Sequence, residues 1–156
     1  MSIEFGRATK DDIDELIRLR IAYMIDDFGA VSENQKQQME KQLTDYFDRK
    51  LGTELIAFVA REQEKIVSVA YLHIIEMPAN VLVLSGLCGE VLNVYTEPEY
   101  RGQGLCTTLI KELITSAKEL GLARIDLSAT DQGFPIYQKC GFEEKVARYT
   151  EMRYTL

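Results

Sequence analysis

Histidine occurs once in the 156 residues, at His73, and cysteine three times, at Cys88, Cys106 and Cys140. The cysteines are odd in number and widely spaced, with no C-x-x-C pair and a single histidine to complete a site, so free thiols and no metal centre are expected. Long uncharged apolar runs are missing, which argues against a membrane span. The opening stretch, MSIEFGRATKDD, lacks the basic and apolar regions of a signal peptide, and a cytoplasmic protein is the expectation. Positive charge is also short, with 18 Lys and Arg against 25 Asp and Glu and a formal net charge of −7. Nucleic-acid binders carry a basic footprint, so this balance disfavours a phosphate backbone as partner and suits a cationic one better.

No internal repeat, low-complexity tract or Gly/Ser linker divides the chain, and a single domain over residues 1–156 is expected. A chain of this length buries about 68–70% of its unfolded surface and needs no covalent staple. SIEFGRA is a short strand candidate. Thr9 and two aspartates then open a helix whose stripe is Ile13, Leu16, Ile17, Ile21, Met24 and Ile25, and a second amphipathic stretch carries Met39, Leu43, Tyr46, Phe47 and Leu51. LIAFVARE and KIVSVAYLHIIEM read as a hairpin, the second strand apolar on both faces and so covered on both sides. A strand at EVLNVYT, a helix from Gly104 to about Leu120, a strand at RIDLSAT, a short helix at PIYQKC and two extended runs, FEEKVARY and EMRYTL, complete the chain. The order predicts an α/β chain with a mixed sheet of six to seven strands, helices on both faces, and a parallel pair flanking the crossover helix.

The stretch NVYTEPEYRGQGLCTTLIKELI changes character at Pro98, from a β-branched run to a helical pattern, with Arg101, Gly102 and Gly104 between. A strand ending in a glycine turn that opens a helix exposes unpaired N–H groups at the positive end of the helix dipole, which is an anion site. Gly102 and Gly104 let backbone approach a phosphate, Arg101 adds charge, and Thr107 and Thr108 lie in the first turn. G-x-x-x-x-G-K-[ST] is absent, and GQGLCT fails G-x-G-x-x-G at its last glycine.

VYTEPEYRGQGLC resembles the acyl-CoA signature of the GNAT superfamily of N-acyltransferases, R/Q-x-x-G-x-G/A, with Arg101, Gly104 and Cys106 at its defining positions; Cys106 stands where the family prefers Gly or Ala. IYQKCGF resembles its second signature. The resemblance implies a GNAT-like fold in which acetyl-CoA lies between two splayed parallel strands. Leu92, Asn93 and Val94 would contact the pantetheine arm. Arg101 and the N–H groups of Gly102, Gln103, Gly104, Leu105, Cys106 and Thr107 would hold the pyrophosphate. Family members often dimerise, which leaves a homodimer open.

Transfer of acetyl to an amine requires the amine to lose a proton, because an amine of pKa about 8 to 10 is mostly protonated at pH 7. Glu90 lies eleven residues before Arg101, the spacing of the glutamate base in histone-acetylating members, and is the candidate base. Tyr137 matches the family's usual acid for the leaving thiolate. His73 is an alternative base but shares a strand face with Val67, Val69 and Tyr71, and Cys106 and Cys140 have no histidine partner that would make them nucleophiles. Asp26, Asp27, Glu33 and Tyr149 are candidates for meeting the acceptor. The sequence therefore predicts an acetyl-CoA-dependent N-acetyltransferase acting by direct attack of a primary amine in a ternary complex, first on a small molecule, second on a peptide or protein amine. A non-catalytic acyl-CoA sensor is the competing class.

Overall fold

Polar caps set the helix starts where the sequence puts them in the computed structural model, which describes residues 2–156. Strand β1 (Ile3–Arg7) leads into a 3-10 turn at Lys10–Asp12 and then α1 (Ile13–Phe28). The Thr9 hydroxyl accepts from the Asp11 N–H at 3.3 Å, and the Asp12 carboxylate accepts from the Thr9 N–H at 2.8 Å. Ser32 and Gln35 repeat the device at α2 (Glu33–Lys50), satisfying donors that a helix start leaves open. Next come β2 (Leu55–Glu62), β3 (Lys65–Glu76), β4 (Leu87–Thr96), α3 (Leu105–Glu119), β5 (Ile125–Asp126) and α4 (Phe134–Lys139).

The strands lie in the order β1-β2-β3-β4-β5, antiparallel except for β4 and β5, which run parallel across α3. One face of the sheet packs Leu55, Val59, Val69 and Tyr71 against Leu16 and Leu19 of α1 and Leu43 and Phe47 of α2. The other packs Ile56, Phe58, Leu72 and Val91 against Leu109, Ile110 and Leu113 of α3 and Tyr137 of α4. Each fully buried side chain of this size contributes about 1.5–3 kcal/mol. The predicted hairpin, the doubly covered β3 and the mixed sheet with helices on both faces are all present.

Two expectations require correction. Among the described residues the sheet has five strands, not six to seven, because FEEKVARY and EMRYTL form none and residues 143–156 are exposed. RIDLSAT, moreover, pairs with β4 only at Ile125 and Asp126. Isolated strands are unstable in water, and the tail meets no sheet edge of its own chain. Among the described residues no helix is long and apolar enough to cross a membrane, and no group of three His, Cys, Asp or Glu is placed to hold a metal.

The turn after β4 is anchored by Glu97, a nearly buried carboxylate. Its N–H donates to the Val67 carbonyl at 2.9 Å, Lys65 Nζ lies 2.6 Å from Glu97 Oε2, and Arg18 pairs with the other oxygen. Burial pushes this carboxyl upward, but Lys65 and Arg18 outweigh burial and hold it below its ordinary value. The junction that follows therefore starts from a fixed point.

Candidate active site

Pairing between β4 and β5 ends at Glu90 and Asp126, and from Val91 onward β4 has a strand neighbour on the β3 side only. The chain after Asp126 diverges instead of continuing the ladder. A cleft of about 710 Å³ opens there, lined by residues 91–96 of β4, the junction at Gly102 and residues 104–107, residues 130–133, and Tyr137. The unpaired side of β4 offers backbone donors and acceptors to an extended ligand.

At the wide end lies the glycine turn. Gly102 (φ 77°) and Gly104 (φ 79°) are left-handed, and a Cβ on either would meet nothing within 4 Å, so the backbone conformation and not crowding demands glycine. The Arg101 N–H donates to the Pro98 carbonyl at 3.3 Å and the Thr108 N–H to the Gly104 carbonyl at 3.1 Å. Between them, no N–H of residues 102–107 donates to a protein acceptor among the described residues. Six free donors at the positive end of a 15-residue helix fit a pyrophosphate.

The side chains of the turn are arranged less simply than the sequence suggests. Arg101 turns back: its Nε donates to the Thr96 carbonyl at 2.8 Å, its Nη2 lies 3.3 Å from Asp26 Oδ2, and its guanidinium sits 5.5 Å from the Tyr95 ring centroid. It lines the cleft while stapling the turn to α1. The Thr108 hydroxyl donates to the Gly104 carbonyl at 3.2 Å and is spent there, whereas Thr107, Leu105 and Cys106 line the cleft. The side chain of Gln103 reaches the Glu99 carbonyl at 3.5 Å.

Midway along the cleft β4 bulges. Asn93 has φ 51°, and the register against β3 slips between Val69 and Tyr71. Leu92 packs toward α1 and Val94 toward α3. The Asn93 side chain is buried, with Oδ1 accepting from Arg20 Nη1 at 3.0 Å and Nδ2 without a partner among the described residues.

Tyr137 borders the cleft from α4. An added Cβ at Gly133 would stand 2.8 Å from Tyr137 Cε2, so the tyrosine lies where only glycine leaves room. Its ring meets Phe142 edge-on at 6.0 Å. Burial, with Cys106 and Tyr23 adding, raises the phenol above its ordinary value. Burial likewise pushes the Cys106 thiol up to about 11, with Cys140 adding, so Cys106 stays protonated at neutral pH and is a poor nucleophile.

Glu90 occupies the narrow end. It is the last β4 residue paired with β5, with His73 opposite on β3 and Asp126 alongside, and it does not line the cleft that begins one residue later. Gly89 and Val91 face α3, so strand alternation turns Glu90 toward the α1 and α2 side. Of the acceptor candidates, Asp26 and Asp27 line the cleft, while Glu33 and Tyr149 do not. Tyr23, Thr130, Asp131 and Gln132 also line it and were not singled out from sequence.

The profile of the family described as the acetyltransferase (GNAT) family matches residues 18–142. A predicted acetyltransferase with acetyl-CoA from Clostridium acetobutylicum is 31% identical and superposes with a TM-score of 0.85 over 97% of this chain and 96% of that one. A GCN5-related N-acetyltransferase from Ralstonia eutropha JMP134, at 22% identity, shares the fold with a TM-score of 0.79 over 97% of this chain and 99% of that one. The glucosamine 6-phosphate N-acetyltransferase of Trypanosoma brucei brucei is 33% identical over 54 residues, 35% of this chain and 37% of that protein. The chain thus matches little more than a third of the length of that curated relative. Family profile, whole-chain superposition and a cleft that fits acetyl-CoA agree: this chain belongs to the GNAT family of acetyl-CoA-dependent N-acetyltransferases.

Proposed function

We propose that the chain works as one catalytic domain that transfers acetyl from acetyl-CoA to the primary amine of a small molecule, by direct attack within a ternary complex. The observation that carries this reading is the continuity of the open edge of β4 with six free N–H groups at the start of α3. Residues 102–107 would hold the pyrophosphate, and Leu92, Asn93 and Val94 the arm. Bound there, acetyl-CoA supplies a thioester whose carbonyl carbon is the electrophile. Glu90 takes the amine proton, directly or through a water. Tyr137, protonated at neutral pH, donates a hydrogen bond to the departing sulfur; since its phenol is less acidic than a thiol of pKa about 8.5, it stabilises the thiolate more than it neutralises it. With Cys106 protonated, no acyl-cysteine relay competes with direct attack. A small amine as acceptor draws support from the curated relative, which is named for an amino sugar phosphate. A cytoplasmic location goes with this reading, since all three cysteines are free thiols.

Calorimetric titration of acetyl-CoA tests the cradle. Wild type should bind in the micromolar to millimolar range, and Gly104→Val, which forces a β-branched residue to φ 79° and crowds the anion, should bind at least about tenfold more weakly. Equal affinity in a folded Gly104→Val protein removes the cradle from the reading.

A homodimer belongs to the same proposal. The outer side of β5 has no strand neighbour, and beside it lies a cavity of about 770 Å³ lined by Ile114, Leu122, Ile125, Leu127, Phe134 and Phe142 among others. The tail meanwhile exposes Val146, Tyr149, Met152, Tyr154 and Leu156. Thr150, Met152, Tyr154 and Leu156 alternate with Glu151, Arg153 and Thr155, the pattern of a half-buried strand. The tail of one copy therefore adds to the β5 edge of a second. Light scattering should give a dimer for the full chain and a monomer for both a chain ending at Phe142 and a Met152→Asp, Tyr154→Asp double variant. A full chain that is monomeric at tens of micromolar overturns the exchange.

A further inference from the structure

Several arginines of the fold are held in ion pairs. Arg18 pairs with Glu97, Arg61 with Asp12, Arg101 with Asp26 and Arg124 with Asp126. Arg20 differs. It is half-buried on the face of α1 that covers the sheet, and among the described residues its hydrogen-bond partner is the neutral Oδ1 of Asn93 at 3.0 Å. Its guanidinium lies 5.9 Å from the Tyr23 ring centroid.

Two buried side-chain polar atoms have no hydrogen-bond partner among the described residues, and one of them belongs to the residue that Arg20 touches. One is Asn93 Nδ2, on the residue Arg20 touches; the other is the hydroxyl of Tyr71, 4% exposed, within reach of the Arg20 charge. Tyr71 and Leu92 are cross-strand partners at the β4 bulge, so the two orphans lie on adjacent strands where β4 slips its register. A buried polar group without a partner is costly, and two of them on adjacent strands near a guanidinium that has no carboxylate partner concentrate that cost. All three groups can donate, the amide and guanidinium nitrogens having no acceptor capacity at all. Such a cluster is completed by oxygen, and the unbalanced charge of Arg20 selects oxygen that is anionic. Asn93 lines the cleft, as does Tyr23 beside Arg20, while Arg20 and Tyr71 do not line it, so Asn93 is the member that connects the cluster to the place where the amine must lie.

We propose that Arg20, Asn93 and Tyr71 form an anion-recognition pocket for the acceptor, so that the preferred substrate is an amine bearing a carboxylate or phosphate on the same molecule. This rests on the acetyltransferase reading and narrows its substrate class. Arg20 would supply charge, Asn93 and Tyr71 direction. The acidic side chain of Asp27 at the cleft would draw in the ammonium end while Arg20 holds the anionic end, so the pocket also sets which nitrogen is presented.

Two matched pairs of amines test it: glucosamine 6-phosphate against glucosamine for phosphate, and 4-aminobutyrate against its amide for carboxylate. At least one anionic member should exceed its neutral twin in kcat/KM on the order of 10–100-fold, the worth of a charge-assisted contact. Arg20→Gln should bring that ratio below about 3 through KM, and Arg20→Lys should restore part of it. Succinate and inorganic phosphate titrated into CoA-saturated protein, where the pyrophosphate cradle is filled, give a readout independent of turnover: heat of binding in wild type, none in Arg20→Gln. Anion binding lost in Arg20→Gln without turnover of any amine would sustain the pocket and sink the acetyl-transfer reading. Twins turned over equally, a ratio unaltered by Arg20→Gln, or anion binding indifferent to that substitution would each overturn the pocket.

Discussion

Glu90→Gln is expected to lower kcat by about 10²–10⁴-fold, the range typical of a lost general base, while the affinity for acetyl-CoA stays within twofold. The substitution keeps the shape of the side chain and removes its proton affinity. Packing at the narrow end of the cleft, between His73 and Asp126, is then preserved. The proposed cofactor contacts lie elsewhere, among the cleft-lining residues between Leu92 and Thr107. Because the carboxylate stands one residue short of the cleft lining, a bridging water is the natural route for the proton. His73 faces Glu90 across the β3–β4 ladder, so His73→Asn is the companion measurement. A large loss there with full activity in Glu90→Gln would move the base across the sheet.

Tyr137→Phe should reduce kcat by about 10–100-fold with little change in KM for acetyl-CoA. Phenylalanine keeps the ring in the space cleared by Gly133 and its edge contact with Phe142, so the difference isolates the hydroxyl. Burial holds the phenol above its ordinary value, and a group so raised remains protonated through neutrality and well into alkaline pH. The wild-type rate should therefore show no loss attributable to Tyr137 below about pH 10. Leaving-group chemistry supplies a second check, since a better leaving thiol needs the hydrogen bond less and should narrow the gap between wild type and variant. A Tyr137→Phe enzyme with full kcat would leave the tyrosine as a packing residue.

The parts of the site that were legible in the sequence are those set by local conformation. Gly102 and Gly104 must be left-handed to turn β4 into α3, and the helix start that follows leaves its N–H groups free whatever the rest of the chain does. Tyr137 was legible because the short helix and Gly141-Phe142 after it sit together in sequence. Contacts between distant elements were not. Arg20 and Asn93 are 73 positions apart, and nothing short of the folded α1 on β4 brings them together. The extent of β5 was misread for a related reason: RIDLSAT has strand composition, but pairing stops at Asp126 because the cleft needs the strands to part. The terminal runs have the alternation of strands and lack an edge within their own chain, a fact about partners that composition does not encode. The placement of Arg101 was half legible. Its charge does line the cleft, but the neighbouring Asp26 and the Thr96 carbonyl take up its donors.

Acetyl transfer itself is tested most directly by mass spectrometry of amines incubated with acetyl-CoA and the full chain, with Glu90→Gln alongside. The panel joins amino sugars and their phosphates, amino acids, polyamines and short peptides, and detection by mass avoids interference from Cys88, Cys106 and Cys140 with thiol reagents. The expected result is a product heavier by ~42 Da, the mass of an added acetyl less one hydrogen, formed on a small amine at a rate about 10²–10⁴-fold lower in Glu90→Gln, with acetyl-CoA binding intact in both proteins. Acetyl-CoA bound in the cleft with every amine of the panel returned unmodified would contradict catalysis at this site and leave a protein that binds acyl-CoA without using it.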